Sequence, residues 1–166
     1  HADRDDRPIV AIVGGSGITP ILSIVKSALA TTARAITLVY ANRDADSIVV
    51  LGQAIGRYPD ALLARAGRAV LLARRGDRAA AHADAAHCLA RGPEPFVVYQ
   101  LAGVYALTSR KHPEDARTAF RLLADALKLG VGFDFVDTDP DLDPLRSVPE
   151  FKLIVDTARA LRPKKD

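Results

Sequence analysis

A glycine-rich turn between an apolar run and a helix start is the strongest chemical signal in this chain. The turn occupies residues 14–20 and ends in Thr19 and Pro20. Its glycines allow a tight bend with accessible backbone N–H groups, Thr19 is a good N-cap, and Pro20 suits the first position of a helix. Because the N-terminal end of a helix is electropositive, the turn predicts an anion site, most often one for phosphate.

Two apolar runs and a helix must position this turn. The run Ile9 to Val13 is rich in β-branched residues, which indicates a strand buried on both faces of a parallel sheet. Residues 35–41 form a second such run, and apolar residues recur at helical spacing between Ile21 and Leu29. The sequence therefore predicts an α/β start, a Rossmann-like βαβ fragment with parallel strands and a right-handed crossover. Residues 44–56 predict another helix, capped by Asp46 or Ser47.

The turn is not the dinucleotide fingerprint, because Pro20 stands where the third glycine would fall. A simpler explanation is an ordinary strand-to-helix turn whose glycines only relieve backbone strain. The residues that follow make the phosphate site the stronger interpretation.

Residues 7–58 closely resemble the start of the pyridine-nucleotide module of the ferredoxin–NADP reductase family. The resemblance depends on the turn, on residues 37–43 and on residues 46–48. In that family the turn holds the pyrophosphate of NAD(P)H, with its threonine near the nicotinamide, and the Asn-Arg pair after the second strand lies by the adenosine ribose. The resemblance implies these cofactor-binding residues: Gly14, Gly15, Ser16, Gly17, Thr19, Asn42 and Arg43. It leaves NAD and NADP open, because Arg43 suits the extra phosphate of NADP but occurs in the family with NAD as well.

The chain departs from the reductase pattern in ways that bear on activity. It has no Arg-x-Tyr-Ser flavin motif, and Cys88 does not precede a glycine as the family's late cysteine does. Without a flavin site there is no hydride acceptor, since the cofactor carries that chemistry. The chain alone is therefore expected to show no turnover. If it acts in an enzyme, that enzyme is an NAD(P)H-dependent oxidoreductase.

The amino-acid composition argues against several classes of protein. Of 166 residues, 49% are hydrophobic and 26% charged, so a packed core is expected. The net charge of +3 comes without Trp and with only 5% aromatic residues, so a base-stacking surface for nucleic acid is not expected. There is no apolar run long enough for a membrane span and no signal peptide, and we expect a cytoplasmic protein.

From Tyr58 onward the composition changes to one dominated by Ala, Arg and Leu. Helical spacing and turn residues predict helices at about 62–73, 78–90, 96–107, 114–129 and 149–161. Taken two at a time, the first four of these helices resemble tetratricopeptide repeats, which are helical hairpins of about 34 residues. The resemblance depends on small or matching residues where the helices of such repeats touch: Ala69, Ala81, Pro93, Ala102, Tyr105, Ala119 and Ala126. Arg65 stands where a tryptophan is usual. We therefore expect residues 1–58 to form a partial nucleotide-binding segment and residues 59–166 an all-α domain of helical hairpins, giving a mainly helical chain overall.

Two other groups of residues could suggest metal sites, but neither has the required residues at the required spacing. Asp137, Asp139, Asp141 and Asp143 alternate as in a calcium loop, but the required glycine and glutamate are missing, and a solvated capping loop is the preferred interpretation. His82, His87 and Cys88 do not share one helix face at ligand spacing, and Cys88 is expected to be a small buried residue. No metal site and no catalytic residue are predicted.

Three functional hypotheses remain open. The favoured one is a non-catalytic fusion, engineered or recombinant, of a partial NAD(P)-binding unit with a helical-repeat module that contacts a protein partner or a second copy. The alternative is the NAD(P)H-binding component of a flavin-dependent electron-transfer oxidoreductase. The third is a structural chimera with no specific ligand.

Overall fold

The computed structural model of this chain describes residues 9–14 and 36–41 as backbone and residues 44–162 in full. Strand β1 (Ile9–Gly14) and strand β2 (Ile36–Ala41) pair in parallel. Ile9 lies opposite Ile36, and Gly14 lies opposite Ala41, so the two strands are in register over their full length. The segment that links them, including the helix predicted between Ile21 and Leu29, lies outside the described residues.

Helices make up the rest of the described chain. They are α1 (Asp44–Arg57), α2 (Leu62–Arg74), α3 (Arg78–Leu89), α4 (Pro95–Ser109), α5 (Asp115–Lys128), a 3-10 turn (Pro140–Leu142), α6 (Asp143–Arg146) and α7 (Pro149–Leu161). The helices predicted from residue 44 onward are confirmed to within a few residues. The start of α1 at Asp44 places Asp46 and Ser47 inside the helix, so the predicted cap is wrong.

The core is formed by helix packing around α4. This helix buries residues on every side, among them Leu101, Val104 and Ala106, and it contacts α2, α3 and α5. A helix that is apolar all round must be enclosed by others. Fully buried alanines on the neighbouring helices, such as Ala69 and Ala81, let the helix axes approach closely.

Helix α1 connects the strands to this helical body. It contacts β1, β2 and α2. Leu51 and Ile55 are its buried apolar residues, one turn apart on the same face. The apolar stripe of α1 is thus too narrow to form a core by itself, and the helix depends on its neighbours.

The predicted α/β fold class is wrong. From residue 44 to residue 162 the structure is all helical without a strand, and no βαβ fold is seen among the described residues. The physical reason is that two strands cannot form a core of their own. The buried apolar cluster lies instead between Ala66 and Val155, on the helices and the loops between them. No helix in the described part of the chain is long and apolar enough to span a membrane.

Gly132 illustrates how the segment after α5 is held against the core. Its φ is +103°, and a Cβ atom added there would lie 2.5 Å from Cδ2 of Tyr99. Both the backbone conformation and the close contact with the ring of Tyr99, a residue of α4, require glycine at this position.

We predict that Gly132→Ala lowers the free energy of unfolding by roughly 2–4 kcal/mol, from backbone strain and overpacking together. The control is Gly67→Ala in α2, where an added Cβ meets nothing within 4 Å. That change should raise stability by about 0.5–1 kcal/mol, because alanine loses less entropy in a helix. Urea unfolding of the two variants checks this, and an unchanged midpoint for Gly132→Ala would contradict it.

Candidate functional site

The carboxyl ends of the two strands define the first candidate site. Gly14 ends β1, Ala41 ends β2, and the two residues are partners in the sheet register. Ligands of parallel α/β sheets bind outside the carboxyl ends of the strands. Gly14 is the one predicted cofactor residue that the structure places. The others lie outside the described residues, directly after these two strand ends in sequence: Gly15, Ser16, Gly17, Thr19, Asn42 and Arg43.

Helix α1 begins at this same edge of the sheet. Its first residue, Asp44, follows Ala41 by three positions, and Asp46 adds a second carboxylate to the first turn. The N-terminal end of a helix favours negative charge, so these two acids stabilise α1.

A groove of about 1350 Å³ extends from the first turn of α1 into the helical body. It runs between α1, α2, α4 and the segment that includes the 3-10 turn. Large apolar side chains that are partly exposed line its middle: Tyr58, Leu63, Phe96 and Phe135. The groove therefore brings residues from both halves of the chain to one concave surface.

A bidentate ion pair between Arg74 and Asp141 lines the polar part of this groove. Arg74 of α2 donates from Nε to Asp141 Oδ1 and from Nη2 to Asp141 Oδ2, both at 2.8 Å. Hydrogen bonding to Asp141 raises the pKa of Arg74, with smaller contributions from the charges of Asp44 and Asp139. Asp44, in the first turn of α1, lines the same groove as this pair.

The run of aspartates before α6 is used for internal contacts. Asp139 accepts a hydrogen bond from the Tyr99 hydroxyl at 3.0 Å, and its other oxygen accepts from the backbone N–H of Asp141. Burial raises the pKa of Tyr99 far above its usual range. The interpretation as a solvated loop fits Asp137 and Asp143, which are exposed, but is wrong for Asp141, which is buried. Among the described residues no cluster of acidic, histidine or cysteine side chains could hold a metal ion.

A second polar network is buried between α3, α4 and α5. Asp115 is 5% exposed and accepts two hydrogen bonds of 2.7 Å from Arg78 and one of 2.7 Å from Thr108 Oγ1. His82 Nε2 lies 3.1 Å from the same hydroxyl, and its ring packs on Tyr105. Burial lowers the pKa of His82, which favours the neutral ring. A hydroxyl with a histidine and an aspartate resembles a nucleophile arrangement, but Thr108 is enclosed, so the network is structural.

Sequence reasoning missed this network because its members are far apart in the chain. In the sequence, Asp115 shows only as a favourable negative charge in the first turn of α5. Only the packing of three helices reveals its partners. The prediction for Cys88 is confirmed: the thiol is fully buried, and its Sγ lies 3.6 Å from the carbonyl oxygen of Leu62.

Comparison with known proteins assigns the N-terminal region. Residues 11–59 match the family model described as "Oxidoreductase NAD-binding domain". The match contains the turn, β2 and the whole of α1. The N-terminal region of this chain thus carries an oxidoreductase NAD-binding domain.

The curated relatives are ferredoxin reductase components of 3-ketosteroid-9-alpha-monooxygenase. The component from Mycobacterium tuberculosis is 49% identical over 61 residues, which is 34% of this chain and 17% of the relative. The one from Mycolicibacterium smegmatis is 42% identical over 60 residues with the same coverage, and that from Rhodococcus rhodochrous 48% over 44 residues, 26% of this chain and 12% of the relative. The chain thus spans less than a fifth of the length of these relatives. No solved structure matches the chain.

No family match supports the resemblance of the second half to tetratricopeptide repeats, and no finding supports a chimera. The helical hairpins are present, as α2 with α3 and α4 with α5. Their assignment to that repeat family stays a prediction.

The Asp115 network predicts a pH-dependent stability. Hydrogen bonds from Arg78 and then from Thr108 lower the pKa of Asp115, so its contribution is fully present above the unfolded-state pKa of about 3.9 and is lost as the pH falls through the folded value. We predict that Asp115→Asn lowers the free energy of unfolding by about 1–3 kcal/mol at pH 7 and by less at pH 3. Urea unfolding at both pH values measures this.

The matched control is Glu114→Gln. Glu114 lies 3.4 Å from the same arginine but is exposed to solvent, and exposed pairs contribute little. A destabilisation by Glu114→Gln as large as that by Asp115→Asn, or one by Asp115→Asn that does not change with pH, would contradict the assignment.

Proposed function

We propose that this chain binds NAD(P)H through its N-terminal region and serves as the pyridine-nucleotide part of a ferredoxin-reductase-type oxidoreductase whose flavin is bound elsewhere. The observation that carries the proposal is the register of β1 and β2, which ends both strands at one edge with Gly14 beside Ala41. The family match over residues 11–59 supports it independently.

The strand ends fit a dinucleotide. Its pyrophosphate and its adenosine ribose are connected, so the groups that bind them must leave the sheet at the same edge. The Gly15 to Gly17 turn follows one strand end, and Asn42 with Arg43 follows the other. Two motifs that are about 25 positions apart in sequence thereby start from neighbouring points.

Each residue then has a role in binding. Backbone N–H groups of Gly15, Ser16 and Gly17 hold the pyrophosphate, and Thr19 orients the nicotinamide. Asn42 and Arg43 bind the adenosine ribose. Bound NAD(P)H supplies a hydride, and this chain orients its donor.

The acidic first turn of α1 favours NADH over NADPH in this proposal. Asp44 and Asp46 lie next to Asn42 and Arg43 in sequence. A carboxylate near the adenosine ribose accepts a hydrogen bond from the 2′-hydroxyl and repels a 2′-phosphate. Arg74, the arginine of the helical body that lines the same groove as Asp44, is already paired with Asp141.

In this proposal the boundary predicted between residues 58 and 59 separates the nucleotide-binding part of the chain from the helical part. The family match ends at residue 59, and the buried cluster begins at Ala66. The helical part then presents the reductase segment to a protein partner or a second copy of the chain. The fusion without a catalytic role, which the sequence favoured, has less support than this alternative because no finding supports a chimera.

Calorimetric titration with NADH and NADPH tests the proposal. We expect saturable binding with the lower Kd for NADH, and loss of at least tenfold in affinity for both Gly15→Asp and Gly17→Asp, because a carboxylate would enter the pyrophosphate position and repel it. Tenfold corresponds to about 1.4 kcal/mol.

Gly56→Asp is the control. It adds the same charge within the family-matching residues, at an exposed position of α1 where an added Cβ meets nothing within 4 Å. Its Kd should stay within twofold of the wild-type value. The absence of NADH binding by the folded wild-type chain, or equal weakening by all three variants, would refute the proposal.

A further inference from the structure

A second concave site, a cleft of about 460 Å³, lies where three turns of the helical body meet. They are the α2–α3 turn, the α4–α5 turn and the 3-10 turn. Five cationic side chains line this basic cleft against one carboxylate, that of Asp141. The cations are Arg74, Arg75, Arg78, Arg110 and Lys111.

Two of these cations are neutralised inside the protein. Arg74 forms its bidentate pair with Asp141, and Arg78 forms one with Asp115 and lies 3.4 Å from Glu114. These contacts hold both guanidinium groups in fixed positions in the wall. They also account for the carboxylates at the cleft, so none is left for the remaining cations.

Arg75, Arg110 and Lys111 are exposed, and none of them forms an ion pair within residues 44–162. Asp77, the other acid of the α2–α3 turn, accepts a hydrogen bond from the backbone N–H of Ala80 and caps α3. Among the described residues, these three cations, which line one cleft, therefore have no ion-pair partner.

A simpler explanation is that these cations stabilise the negative, C-terminal ends of nearby helices. Helices α2 and α4 both end at this cleft, and each end carries a partial charge of roughly −0.5. The two ends together supply about one negative charge, whereas three cations lack a partner. Helix capping thus explains a part of the cluster and leaves an excess of positive charge concentrated in a concave site.

We propose that the basic cleft binds a small ligand that carries linked phosphate groups. Its volume is within the range of small-molecule sites and is too small to admit a folded protein. Arginine forks donate to phosphate in bidentate geometry, and a polyphosphate supplies several negative charges within the span of one small cleft. Bound there, the ligand links the α2–α3 turn to the α4–α5 turn.

Calorimetric titration of the full-length chain with inorganic pyrophosphate tests this inference. The wild-type chain is titrated once for reference, and every cleft and control variant is titrated in the Gly15→Asp, Gly17→Asp background, because the proposed nucleotide turn would itself bind pyrophosphate. We expect saturable binding that Arg75→Ala with Lys111→Ala weakens at least tenfold. The matched control is Arg117→Ala with Lys128→Ala, which removes one exposed arginine and one exposed lysine from α5, away from the cleft. Its Kd should change by less than twofold.

Three outcomes would overturn the inference. The first is no pyrophosphate binding in the glycine-variant background when the wild-type chain does bind, which places all binding at the nucleotide turn. The second is equal weakening by the cleft pair and the control pair, which indicates general charge attraction. The third is equal affinity for citrate, a carboxylate anion of comparable charge. Thermal unfolding of each variant establishes that the fold is retained.

Discussion

The enclosure of α4 is the constraint on which the described structure depends. This helix has buried residues on all its faces, so α2, α3, α5 and the segment after α5 must cover it. The covering helices approach closely because their contact residues are small, as Ala69, Ala81 and Ala119 are fully buried. At Gly132 the backbone itself packs against α4, because the ring of Tyr99 occupies the space where a side chain would begin. The close packing of α4 thereby determines the paths of the turns that form the groove and the basic cleft.

Four arginines of α2 and α3 pair with carboxylates that are buried in this packing. Asp84, Asp115 and Asp141 are buried carboxylates, and each is paired with arginine. Asp84 alone accepts from Arg65 at 3.1 Å and from Arg68 at 2.7 and 2.8 Å. A buried charge is costly without a partner, so these arginines are required by the carboxylates. The arginine at position 65, which departs from the repeat pattern, has this structural explanation. The positive net charge is therefore a weaker indication of an anionic ligand than are the few cations that remain unpaired in one cleft.

Helix α1 relates the region of reductase similarity to the helical body. It lies within the family match, contacts both strands and packs on α2. Its first turn is three residues from the end of β2, and Asp44 lines the same groove as the pair formed by Arg74 and Asp141. A nucleotide bound at the strand ends would thus be electrostatically close to the helical body. The pair formed by Arg74 and Asp141 lines both the groove and the basic cleft, whereas the three unpaired cations line the cleft alone.

The sequence alone determined the local elements. Helical spacing and turn residues placed α2 to α5 and α7 to within a few residues, and the glycine turn with Asn42 and Arg43 indicated the reductase family that the comparisons support. Those signals are local, so they can be recognised without knowing how helices pack. The tertiary structure decided three further features: a core built between helices rather than on an α/β sheet, a buried Asp141 within a run that looked solvated, and the contacts of Asp115 with Arg78 and Thr108. Each of these depends on side chains from separate helices meeting in space, and periodicity along one segment contains no information about which other segment will cover it.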